Sequence, residues 1–143
     1  MGDALTLAQA AIALDEVPVG AVIVKHGQII GRGHNRTRID HDPTAHAEIV
    51  AIRQATHFLG NDRLEDCDLW VTLEPCTMCA GAIAHARIGR LYYGADDPKG
   101  GAVDSGVRFF DSPTCHHRPE IYAGIDGARS ARLLLDFFQD RRD

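Results

Sequence analysis

Two short segments, His46-Ala47-Glu48 and Pro75-Cys76-Thr77-Met78-Cys79, hold the side chains best suited to chemistry. Cys76 and Cys79 are three apart, so on a helix they share a face, about 60° from one another. Pro75 favours a helix start, which puts both cysteines in a first turn. There the free N–H groups and the helix dipole favour thiolate. Two thiolates on one face hold a soft or borderline cation, and His46 from another helix makes a third ligand. Three protein ligands leave the fourth tetrahedral position of Zn²⁺ open to water, the mark of a catalytic site. One zinc ion, two thiolates and a neutral imidazole sum to zero charge, so such a site acidifies water less than three histidines do. A carboxylate beside the water compensates by carrying its proton, and Glu48 is the candidate. Glu48 lies about 200° round an ideal helix from His46, which disfavours both as ligands and leaves its place over the water open.

Other readings of C-x-x-C stand beside this one. Cys67, Cys115, His116 or His117 could close a four-ligand site, or the pair could do redox chemistry in a thioredoxin-like setting. The H-x-E at a second expected helix start favours the catalytic ion. Cys67 and Cys115 then read as ordinary thiols.

The elements that must position these residues follow from periodicity. Ala4 to Leu14 has helical composition. Residues 21–25 and 28–32 flank His26-Gly27, a two-residue hairpin connection. Residues 46–59 read as a helix, with Ile49, Ile52, Arg53 and Ala55 spaced for one buried stripe and Gly60 as its stop. A strand at 68–73, a helix at 78–88 stopped by Gly89, and a strand at 90–94 come next. A helical turn at 107–110, a short strand at 120–123 and a helix at 128–142 complete the chain. Strands alternating with helices predict a three-layer α/β/α fold on a five-stranded mixed sheet, in one domain over residues 1–143.

Composition narrows the class. The chain has 143 residues, 45% of them hydrophobic and 24% charged, which excludes a disordered protein. No apolar run nears the roughly 18 residues of a membrane span, and no signal-peptide layout opens the chain, so a cytoplasmic protein is expected. A net charge of -5 argues against a protein that coats nucleic acid generally. A local basic patch from Arg36, Arg38, Arg141 and Arg142 is expected instead.

H-x-E followed by P-C-x-x-C is the signature of zinc-dependent deaminases. The flanking segments Glu16-Val17-Pro18-Val19-Gly20, Gly33-His34-Asn35, Thr72-Leu73-Glu74-Pro75 and Asp96-Asp97-Pro98-Lys99-Gly100 extend the likeness. Over nearly its whole length the chain resembles the tRNA-specific adenosine deaminases of the cytidine/deoxycytidylate deaminase superfamily. The resemblance implies that His46, Cys76 and Cys79 bind one Zn²⁺ per subunit and that Glu48 shuttles protons. It implies that Asn35, Ala47, Glu74 and Pro75 line the base pocket, and that Asp97, Phe138, Arg141 and Arg142 meet a tRNA anticodon stem-loop. It further implies a homodimer that makes inosine at the wobble position (34) of an arginine tRNA. The alternatives are a deaminase of a free base or nucleoside (guanine, cytosine or cytidine) and a noncatalytic zinc-stapled RNA-binding module.

Overall fold

The computed structural model of the chain describes residues 1–142, Arg142 by its backbone alone. Its elements are α1 (Gly2–Ala13), β1 (Gly20–Lys25), β2 (Gln28–His34), α2 (Ala47–Leu59), β3 (Cys67–Leu73), α3 (Thr77–Ala86), β4 (Arg90–Ala95), β5 (Glu120–Tyr122) and α4 (Gly127–Arg142). The sheet order is β2-β1-β3-β4-β5. β1 runs antiparallel to β2 and β3, and β3, β4 and β5 are mutually parallel, giving the expected mixed sheet. The hairpin closes at His26 and Gly27 with φ of 50° and 78°, the double left-handed turn that suits the twist of paired strands. A parallel pair needs a crossover, and α3 supplies it between β3 and β4.

Alternation sorts the side chains of the sheet into two layers. Ile23, Leu69, Val71, Leu91 and Tyr93 are fully buried with Ile83 of α3 in the main core. The opposite face is covered by α1 and α4: a Cβ on Gly20 would strike Ala4 and Ala8, and one on Gly94 would strike Ser130.

How α2 seats on β2 decides where the chemistry sits. A Cβ on Gly31 would lie 2.4 Å from the Ala51 carbonyl, and one on Gly33 2.4 Å from that of Ala47. Backbone therefore packs on backbone, and the buried stripe of α2 is Ala47, Glu48, Ala51 and Ala55. Of the residues expected on that stripe, Ile49 and Ile52 are only half-buried and Arg53 is exposed. A glycine-floored strand leaves no depth for a branched side chain, so alanines take the inner face.

Two further boundaries differ from expectation. α3 ends at Ala86 because Arg87 turns left-handed at φ 62°, and the Ile88 amide returns to the Ile83 carbonyl. That is a Schellman-type closure without glycine, and Gly89 lies past it. The helical turn near Val107 is a single 3₁₀ turn at Phe109–Asp111. Among the described residues, no helix is long and apolar enough to cross a membrane.

Candidate active site

The site forms where several element ends meet. His46 is the N-cap of α2 and Cys76 the N-cap of α3, with Cys79 one turn into that helix. Both helices thus point their positive ends at the same spot, which stabilises sulfur anions there. The His46 Nδ1 lies 3.6 Å from Cys76 Sγ and 3.7 Å from Cys79 Sγ. The three donor atoms all lie within 4.8 Å of one another. Tetrahedral zinc, with Zn–N of about 2.0 Å and Zn–S of about 2.3 Å, separates nitrogen from sulfur by about 3.5 Å. The donor set therefore fits the ion in both chemistry and spacing. Cys67 is buried in the core and Cys115 donates to the His117 carbonyl, so neither joins the three.

Electrostatics at the site follow from burial and sharing. A hydrogen bond from the Cys79 thiol, with His46 alongside, lowers Cys76 to about 4. The same bond pushes Cys79 up. Hydrogen bonding to Cys76 raises His46. Metal binding needs both sulfurs deprotonated, so a bound cation displaces the thiol proton. Burial pushes Glu48 up to about 7, since it is only 4% exposed. A carboxyl near neutrality can both take and return a proton.

These groups open onto a cavity of about 150 Å³ walled by Val17, Val19, Asn35, His46, Glu48, Leu73, Glu74, Cys76 and Asp97. Asn35, Glu48, Glu74 and Asp97 thus meet there with two of the three proposed ligands. Ala47 and Pro75, expected to line the pocket through the helix-start backbone and the Glu74-Pro75 turn, are fully buried. The mouth continues into an open groove of about 540 Å³ that adds Lys99, Leu134, Leu135 and Phe138 to the wall. Phe138 is exposed while its neighbour Phe137 is buried.

The expected basic patch is only partly assembled. Arg36 is held by Asp40 in its own loop, whereas Arg38 and Arg141 both bind Asp15. Arg141 also lies over the Phe137 ring, 3.7 Å from its centre. The Arg142 side chain lies outside the described residues.

Glu74 is expected on the pocket wall and lies there. Sequence reasoning missed its bonding to backbone, and missed Glu16 as a functional residue. The Glu74 carboxylate, 2% exposed, accepts the amides of Asp97, Val103, Asp104 and Ser105 and the Ser105 hydroxyl, at 2.9 to 3.0 Å. Burial opposes its charge, but these donors win and hold the group below the usual carboxylate range. Glu16 is completely buried and accepts the amides of Arg38 and Ile39. The available signal was an acid set beside apolar, strand-forming residues, as in Glu16-Val17 and Leu73-Glu74-Pro75.

Mixed sheet, four helices and their order match the cytidine-deaminase-like α/β fold. The chain belongs to the MafB19-like deaminase family, whose model matches residues 1–142. It is 60% identical to the tRNA-specific adenosine deaminase of Agrobacterium fabrum (strain C58) over 97% of this chain and 91% of that protein. A solved structure from studies of A-to-I editing by tRNA:A34 deaminases at the wobble position of transfer RNA superposes with a TM-score of 0.93. It is 60% identical and covers 94% of this chain and 97% of its own. A guanine deaminase from Bacillus subtilis is more distant, at 37% identity and a TM-score of 0.66 over 99% of this chain and 90% of its own.

Proposed function

We propose that the chain is a zinc-dependent tRNA adenosine deaminase that converts adenosine 34, at the wobble position of an arginine tRNA, to inosine. The observation that carries the reading is the convergence of one imidazole nitrogen and two sulfurs on a cavity that also holds Glu48 and Asn35. Identity of 60% to a tRNA-specific adenosine deaminase supports the substrate class. Held by His46, Cys76 and Cys79, Zn²⁺ would supply the Lewis acidity that makes water a nucleophile at neutral pH.

The rest is work for the chain's own residues. The target base leaves the loop and enters the cavity edge-on between Val17, Val19 and Leu73, which exclude bulk water. Asn35, whose side-chain carboxamide makes no hydrogen bond among the described residues, bonds the base edge. Glu48 takes a proton from water and delivers it to N1 of the ring, then moves the second proton to the departing amine. One C6–O bond forms, the C6–N bond breaks, and ammonia leaves. Asp97, Phe138, Arg141 and Arg142 belong to the surface that meets the anticodon stem-loop, and the working unit is a cytoplasmic homodimer.

The rival substrate class is a free base, favoured by the likeness to a guanine deaminase. Zinc-loaded protein offered an arginine-tRNA anticodon stem-loop beside free adenosine, guanine, cytosine and cytidine separates the two. Inosine in the stem-loop is the expected product. Conversion of a free base with none of the stem-loop refutes the proposal.

A further inference from the structure

Two irregular loops frame the cavity from opposite sides. One runs from Asn35 to His46 and the other from Asp96 to Gly106. Neither has a helix or strand to bond its inner amides. Among the described residues, no backbone carbonyl takes the amides of Arg38, Ile39, Asp97, Val103, Asp104 or Ser105. Each loop hands these amides to one buried carboxylate instead. Glu16 takes Arg38 at 3.1 Å and Ile39 at 2.9 Å. Glu74 takes the other four amides and the Ser105 hydroxyl on its two oxygens.

We propose that Glu16 and Glu74 are paired positioning residues, buried latches that fix the two rims of the cavity so that Asn35 and Asp97 are preset for the base. The inference rests on the substrate-binding part of the reading above and adds how the pocket is shaped.

Three observations favour latches over incidental burial. Both carboxylates are grounded outside the loops they hold: Glu16 in the turn after α1, Glu74 at the end of β3. Among the described residues neither carboxylate pairs with a cationic side chain, so the backbone amides are what offset their desolvation. The second loop is also shaped around its latch, for a Cβ on Gly101 would come within 2.5 Å of the Glu74 carboxyl carbon. Two more contacts seat that loop, Ala102 on the Pro75 carbonyl and the Tyr93 hydroxyl on Asp104.

Preset rims contribute equally to binding the ground state and the transition state, so their loss shows in KM rather than kcat. Glu→Gln preserves shape but turns one acceptor into a donor facing N–H groups. Wild-type turnover of the stem-loop is measured first and decides the substrate question alone. If a free base or nucleoside is the substrate instead, the same ratios are read on it.

E16Q and E74Q, purified with zinc, are then compared with wild type in metal content, kcat, KM and amide hydrogen exchange. Each should raise KM roughly tenfold with kcat nearly unchanged and zinc content intact. Faster exchange should be confined to the Arg38–Ile39 region in E16Q and to residues 97–105 in E74Q. A merely structural role lowers the active fraction, and so kcat, without moving KM. Unchanged KM despite faster loop exchange overturns the proposal, as does unchanged exchange. If E74Q fails to fold, S105A removes a single donor from the same latch. A KM rise of roughly two- to threefold then supports the proposal, and an unaltered KM overturns it.

Discussion

Glu48 is a carboxyl placed where its charge is costly, and that cost suits it to moving protons. Burial brings it to about 7, so it changes state readily at neutral pH. E48A should keep stoichiometric zinc while kcat drops by about 10²–10⁴-fold, read by metal analysis beside single-turnover assays. Undiminished turnover would remove the shuttle from the mechanism. C79A should behave oppositely, losing metal because one thiolate and one imidazole leave the ion underheld. The His/Cys/Cys set could be read from sequence because its residue types carry their chemistry with them. The bonding of Glu16 and Glu74 could not be found that way, although the resemblance put Glu74 at the pocket, since a glutamate's type does not reveal that its partners will be backbone amides twenty or more residues away.

Most elements are readable from period and punctuation. The inner stripe of α2 was assigned to Ile49 and Ile52 by hydrophobicity, but the floor beneath it belongs to another element. Gly31 and Gly33 of β2 set the helix close enough that only Ala47, Ala51 and Ala55 fit. The expected helix runs past Arg87 for a different reason: a non-glycine residue takes the left-handed turn that local preference assigns to Gly89. The seating of α2 makes a prediction about chemistry as well as stability. G33A drives a methyl group towards the Ala47 carbonyl, one residue from His46. It should cost about 1–3 kcal/mol in a denaturant titration and weaken zinc binding as well, through movement of the helix start. Lost stability with unchanged metal affinity would show that His46 is placed independently of this contact.

Across the whole molecule, an excess of acid coexists with a proposed polyanionic partner. The reconciliation visible at the surface is Asp15, which binds both Arg38 and Arg141 and offsets part of their charge. Their shared carboxylate also explains why sequence alone placed these arginines together but overstated the patch: charge counts say nothing about pairing. D15N should free two guanidinium groups, tighten stem-loop binding and steepen its dependence on salt by about 1.4–1.8 units of log slope if each meets a phosphate. Weaker binding would mean that Asp15 orients the arginines rather than restraining them. A last consequence concerns how such a molecule can diversify. The proposed ion ligands stand on the first turns of two packed helices, whereas most of the remaining cavity wall comes from strand ends and irregular segments at the same edge of the sheet. Insertions or exchanges in those segments can retune which heterocycle is admitted while the hydrolytic apparatus stays intact. One ancestral scaffold could in this way yield descendants with different nucleobase tastes at little cost to its own integrity.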